Sequence, residues 1–316
     1  MSDLVTINTD NYAVMAKAMG IAGATVGTKT SNNLNRLRIW HSPIMGEEKV
    51  GNKLKKVEVV EGGVYRLELV DDDTSTYYYA KTATVRPFMQ RYMLKRYESF
   101  SNVKEGDPKG TFHKTIMSDN LNTDLKDNKG NFNCGKPAGY IKDFKALPVH
   151  MQDLIKQTKR VRVVFGTIKL DDPTDMYGRE VVLDEVPFIW EVDNREAYKT
   201  IGDQFNIYAK KEKLPLNHYM VLKESKENPM QNGSSFYTPV AHVDLSKTIG
   251  IGEEDHKTFS NFLDWIKNYN DGVCTAWDNI VQERQSEVSE EDAETVDNFV
   301  DVELEDDAKK YSFSST

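Results

Sequence analysis

Cysteine is scarce in this chain: Cys134 and Cys274 are the two among 316 residues, far apart and without a CxxC spacing. That excludes a disulfide framework and a four-cysteine zinc site, and it predicts a reducing, cytoplasmic compartment. Long apolar runs are missing too. No stretch reaches the ~18 apolar residues that a membrane-spanning helix needs, so no membrane association is expected. The opening MSDLVTINTD has neither the basic nor the apolar region of a secretory signal. The six histidines stand singly, and Cys134 with His113 and His150 lacks a metal-ligand spacing. No metal and no cofactor is expected. The GxGxxG, GxxxxGK, GxSxG and HExxH patterns are absent, and with them the commonest phosphate-cradle and hydrolase signatures.

What the chain has is charge sorted by region. Residues 81–170 carry 18 Lys and Arg against 8 Asp and Glu, a net of +10. Residues 283–316 carry 12 acids against 3 bases, a net of −9, which equals the net charge of the whole protein. A basic block rich in aromatics followed by an acidic tail suits a protein that holds a polyanion and regulates its own grip.

Residues 1–33 are small and polar and read as a short helix and a flexible lead-in. From Leu34 the pattern turns to short β-rich runs, punctuated by Gly62-Gly63 and Asp71–Asp73. Phe88–Tyr97 fits a strand or a helical turn equally. Residues 101–145 are so dense in Gly, Pro, Asn and Asp that a long loop region is predicted. Pro148–Thr158 has helical spacing, Arg160–Leu170 and Val186–Val192 read as strands, and Asn194 is placed to cap a helix running to about Lys211. Further strands are expected over Pro215–Leu222 and Phe236–Leu245. Glu253–Tyr269 is the clearest helix, with Asp271-Gly272 as its expected end. Past Gln282 the composition cannot offset the entropy of ordering, so residues 283–316 are expected to be a disordered tail behind a body of 34–282, which has a possible division near 148.

Three constellations can carry function. Tyr77, Tyr79, Lys81, Arg86, Phe88, Arg91, Tyr92, Lys95, Arg96 and Tyr97 interleave cations with rings, followed by Phe100. Single-stranded nucleic acid exposes a phosphate line for the cations and free base faces for the rings. The competing reading makes the rings half of a sheet core and the cations its wet side. The loop Lys126–Lys145 adds Lys129, Phe132, Lys136, Tyr140 and Lys142 beside three glycines, either a ligand-approaching loop or a plain insertion. In the strand from Arg160, alternation puts Arg160 and Arg162 on one face, either a cationic groove wall or an ordinary polar side. The acids at Asp71–Asp73, at Asp171, Asp172 and Asp175, and at Glu253–Asp255 fall in turns or at a helix start, where acids are common. A metal-dependent nuclease is therefore the least supported reading, and no enzyme activity is expected.

In charge order, Tyr77–Phe100, Lys126–Lys145, Arg160–Arg162 and the tail Glu283–Asp307 together resemble the single-stranded DNA-binding proteins of tailed bacteriophages. The resemblance covers most of the chain loosely and no short motif tightly. It differs in that AKKYSFSST follows the tail acids and no zinc-ligand cluster is present. It implies an α+β protein with a β-barrel core of modified OB type, long loops, a C-terminal packing helix and the acidic tail. It further implies sequence-independent binding of single-stranded DNA in phage replication and recombination, in the cytoplasm of an infected bacterial host. Partners would be replication proteins recruited by the tail and, on DNA, further copies of the chain. The alternative is a phage structural or interaction protein with a basic packing surface.

Overall fold

The computed structural model describes residues 34–50, 53–71, 74–101, 107–137, 141–230 and 233–286. The expected lead-in over 1–33 lies outside the described residues, as does the expected tail over 283–316 except for 283–286, which are helical. The protein is α+β. Eleven strands and three α-helices are formed among the described residues, and none of the helices is long and apolar enough to cross a membrane. The chain divides into two compact units. Unit one takes the described residues up to Gln90 with Val163–Lys267, and unit two takes Arg91–Arg162 with the residues from Asn268 on.

In unit one, β1 (Asn35–Trp40) is followed by the hairpin of β2 (Ile44–Val50) and β3 (Lys53–Val60), which forms a two-stranded sheet of its own. Gly63, at φ 86°, turns the chain into β4 (Val64–Asp71), and β5 (Thr74–Ala80) pairs with β4. The first half of β6 (Thr82–Ser99) and most of β8 (Lys159–Asp171) fill the middle of the sheet. After them come β9 (Val186–Val192), β10 (Tyr219–Pro229) and β11 (Ser235–Asp244), giving the order β11-β10-β6-β8-β9-β1-β4-β5. The pairs β1–β4, β4–β5, β6–β10 and β10–β11 are antiparallel, while β1 and β9 run parallel.

One face of this sheet is covered by α2 (Arg195–Lys210). Its start is fixed by Asn194, whose side-chain oxygen accepts the amides of Glu196 and Ala197 at 2.9 and 3.1 Å. Ala197, Ile201, Phe205 and Tyr208 pack onto Leu37, Tyr65, Leu67, Phe188, Trp190 and Leu222. Each fully buried large apolar side chain contributes about 1.5–3 kcal/mol. The opposite face receives residues 253–267 of α3 (Glu253–Ser286), with Phe262 edge-on to Phe88 and against Phe165. Strand β6 is thus buried on two faces. Gly166 of β8 allows the close approach, since a Cβ there would collide with the Arg86 carbonyl oxygen.

Among the described residues the β-barrel expected from the sequence does not close. The hydrogen-bonded order ends on β11 and β5, which do not pair with each other. The outer edge of β5 is taken instead by a turn of its own unit, where Tyr79 and Thr174 exchange backbone hydrogen bonds of 2.9 and 2.8 Å. Filling the edge this way leaves an open sheet.

Unit two contains the second half of β6, paired with β7 (Gly110–Lys114), and α1 (Val149–Gln157). β7 lies inside the stretch that the sequence assigns to loop. The ambiguous Phe88–Tyr97 is strand throughout. Helix α3 does not stop at Gly272, as expected from Asp271-Gly272, but runs to Ser286. Gly272 faces open space and costs about 1 kcal/mol relative to Ala in a helix. Contacts on either side offset that: just before it the Asn270 side chain bonds both the amide and the carbonyl of Met117 and the Tyr269 hydroxyl reaches the Thr115 carbonyl at 3.0 Å, and beyond it Arg284 donates to the Lys129 carbonyl at 2.9 Å.

Candidate nucleic-acid interface

The register of β6 with β7 sets Lys95 opposite Lys114, Tyr97 opposite Phe112 and Ser99 opposite Gly110. Side chains alternate along a strand, so these pairs share one face, and Arg96, Glu98 and His113 point to the other. On the first face the Tyr97 and Phe112 rings lie 4.8 Å apart between centroids at 55°. They remain 42% and 44% exposed, enough to offer ring surface to a ligand. Lys95 Nζ and Lys114 Nζ stand 4.9 and 5.9 Å from the Phe112 ring centre. Two exposed rings are therefore flanked by two ammonium groups on a single strand pair.

The other face is built to hold the hairpin still. The Arg96 guanidinium donates from Nε to the Cys134 carbonyl at 3.1 Å and lies 3.4 Å from Glu98. His113 is buried, with Nε2 2.5 Å from the Glu98 carboxylate and Nδ1 3.5 Å from Asp127. One oxygen of the fully buried Asp127 accepts the amides of Lys129 and Asn131 at 2.9 and 2.8 Å, tying the neighbouring loop to the same point. The hydrogen bond from His113, with the Arg96 charge, holds the Glu98 carboxyl below the usual range despite some burial. Burial pushes the Cys134 thiol up to about 12, helped by the Asp127 charge, so it is unreactive. Among the described residues no group of three or more His, Cys, Asp and Glu is placed to hold a metal ion.

A second aromatic group sits on α3. Lys126 Nζ lies 4.1 Å above the Trp277 ring and 3.3 Å from Asp278. Phe132, 47% exposed, is 5.6 Å from the same ring. Arg284 donates to the carbonyls of Lys129 and Gly130 at 2.9 and 3.0 Å, which pins the loop to the helix. Lys136 is half-buried, and burial together with the Arg160 charge lowers its ammonium pKa. Lys142 and Arg160 are exposed and Arg91 is half-buried. Tyr140 lies outside the described residues.

Several residues expected in the interface are elsewhere. Arg162 does not share an exposed face with Arg160: it is buried, with Nη1 donating to the Tyr92 hydroxyl at 3.1 Å and its guanidinium 5.1 Å from the Tyr92 ring. That ring is half-buried beneath the cation, so Tyr92 acts as a packing residue here. Arg86 and Phe88, both in unit one, are interior. Arg86 grips Asp255 with two nitrogens at 2.7 and 3.0 Å, and Phe88 packs on Phe262. Tyr79 is buried beside Val60 and Val64. Tyr77 is half-buried with the Arg66 guanidinium 4.9 Å from its ring, and Lys81 is paired with Glu61 at 2.8 Å. Of the interleaved stretch, Lys95 and Tyr97 are the residues that reach the ring platform.

Sequence reasoning missed Phe112, Lys114 and Trp277. The signal for the first two was the alternation Thr-Phe-His-Lys straight after Gly110. For Trp277 it was the continued spacing Val273, Trp277, Ile280 beyond the glycine. Gly110 itself is needed here. A Cβ would lie 2.5 Å from the Tyr97 ring and closer still to the Glu98 carbonyl. Gly110→Ala is expected to push Tyr97 out of its place and to weaken oligonucleotide binding with the charge unchanged. Binding titration beside a thermal melt checks this, and full affinity in the folded variant would show that the ring position does not matter.

Compared with family models, curated proteins and solved structures, the chain matches none of them.

Proposed function

We propose that this chain binds single-stranded DNA without sequence specificity, serving phage replication and recombination in an infected bacterial cell. The observation that carries the reading is the exposed Tyr97–Phe112 pair between Lys95 and Lys114. Bases stack on rings and phosphates follow cations, and the base faces of a duplex are already occupied. The exposed Phe132 beside Trp277, with Lys129, Lys136, Lys142 and Arg160 in the same unit, extends the basic and aromatic character. The OB-type assignment belongs to the same proposal, since OB-folds are themselves partly open barrels. So does the role of the acidic tail, read as a tethered competitor for the basic unit and a docking segment for replication proteins, and so does association of several copies on DNA.

Titration of oligo-dT and of blunt duplex across a salt series, with and without Mg²⁺, tests the reading. Affinity for the single strand is expected to be the higher, with log K falling by about 0.7 per phosphate neutralised for each unit of log salt. Equal affinity for both forms would remove the rings from the argument. Cleavage with Mg²⁺ would favour a nuclease, and no binding at low salt would favour the structural alternative.

A further inference from the structure

The sheet of unit one carries a second cationic face that no sequence feature singles out. In the register of β1 with β4, Arg36 stands opposite Glu68, Arg38 opposite Arg66 and Trp40 opposite Val64. β4 continues into β5 with Arg66 opposite Tyr79 and Glu68 opposite Tyr77. Strand alternation places all of these on one face, while Leu37, Tyr65, Leu67 and Ala80 point into the core on the other. Arg36 and Arg38 are exposed. Arg66 is half-buried against two rings, with its guanidinium 4.4 Å from the Trp40 ring centre and 4.9 Å from that of Tyr77.

Like charges directly opposite on paired strands are destabilising. The neighbouring hairpin avoids this, setting Glu47 against Lys56. The Arg38–Arg66 pair does the reverse. Among the described residues of this face on β1, β4 and β5, Glu68 is the one acid, and it accepts the Ser75 hydroxyl at 3.0 Å. Three guanidiniums are thus gathered on a stiff sheet with less than matching negative charge. Arg donors suit phosphate oxygens, and a guanidinium packed against rings loses little freedom on binding. The two rings already hold Arg66 and are half-buried, so base stacking is not what this face offers.

We infer that the β1–β4–β5 face is a separate phosphodiester-binding surface, centred on Arg36, Arg38 and Arg66, that takes single-stranded and duplex DNA alike. It rests on the reading of the protein as a polynucleotide binder, and it is independent of the Tyr97 platform. The backbone of either form supplies the phosphates, and no unstacked base is required.

The test uses the full chain with two double variants, Arg36→Ala/Arg38→Ala and Tyr97→Ala/Phe112→Ala, each titrated with oligo-dT and with blunt duplex of equal length. At about 50 mM salt the arginine variant is expected to lose roughly tenfold in affinity for both forms. Its salt slope should fall by about 0.9 per lost contact on duplex and about 0.7 on single strand. Arg36→Lys/Arg38→Lys should recover much of the loss, and since both side chains are exposed the melting temperature should stay put. The ring variant should lose single-strand affinity and keep duplex affinity. Unchanged duplex affinity and slope in the arginine variant would overturn this inference and leave the ring platform standing. A loss confined to oligo-dT would overturn it as well, because the surface would then discriminate strandedness. Should the ring variant keep its preference for single strands while the arginine variant behaves as expected, the platform fails and this surface stands.

Discussion

Alanine at both Tyr97 and Phe112 is expected to weaken oligo-dT binding by roughly 1–3 kcal/mol for each base that loses its ring. At about 1.4 kcal/mol per factor of ten, that is roughly fivefold to more than a hundredfold per base. The fold should tolerate the change. Both rings are more than 40% exposed, and an aromatic pair adds only about 0.5–1.5 kcal/mol beyond burial. Phe88→Ala, a change in the interior of unit one, should behave in the opposite way. It empties the space against Phe262 and costs about 3–5 kcal/mol of stability without a selective effect on single strands. Tyr97→Phe keeps the stacking surface and should keep most of the affinity. Fluorescence titration with parallel thermal melts separates these outcomes. A folded Tyr97→Ala/Phe112→Ala protein with full affinity for oligo-dT would end the stacking argument.

Those two rings also mark how far the sequence could be read. Tyr97 was legible because it stands in a stretch that interleaves rings with cations, next to Lys95 and Arg96. Phe112 was not, because Gly, Pro and Asp surround β7 and the stretch reads as loop until its partner strand is known. Elements whose signals are local were legible end to end: Asn194 announces α2, and β9 occupies its predicted residues, Val186–Val192. Strand β6 was not, since a strand buried on both faces loses the alternation that distinguishes strand from helix. The open sheet was illegible for a related reason. Barrel closure depends on what pairs with the last edge, and the Pro173–Glu180 turn that occupies β5 carries no pattern that says so. Arg36, Arg38 and Arg66 likewise looked like scattered cations until the β1–β4 register brought them together.

Arg86 shows the same limit in energetic form, and replacing it should produce a stability loss as large as that of Phe88→Ala. A cation in a strand is by default a solvent-facing group, and its partner Asp255 lies 169 residues further along the chain. In the fold Arg86 is 8% exposed. Its Nε donates to the Leu216 carbonyl at 2.7 Å, one Nη to Asp255, and the other to both Asp255 and the Gly250 carbonyl. Arg86→Met keeps the length of the side chain and removes every donor. Breaking a buried pair from one side typically costs about 3–5 kcal/mol, because the remaining charge is left uncompensated. The loss should depend on pH with a definite sign. Burial pushes the Asp255 carboxyl up, but the Gly252 amide and the Arg86 guanidinium outweigh it and hold it below the usual carboxylate range. A depressed folded pKa adds stability that is present above the unfolded value of about 3.9 and is lost as the pH falls through the folded one. With Arg86 gone the carboxyl rises, so the gap between variant and wild type should be widest near neutral pH. It should narrow as acid protonates Asp255 in both. Adding Asp255→Leu to Arg86→Met should restore much of the stability, since an apolar pair often replaces a buried ion pair at little cost. Urea unfolding of the wild type and both variants at neutral pH and near pH 4 measures all of this. A single variant as stable as wild type at neutral pH would show that the pair contributes nothing. A selective loss of DNA affinity in the folded protein would return Arg86 to the interface.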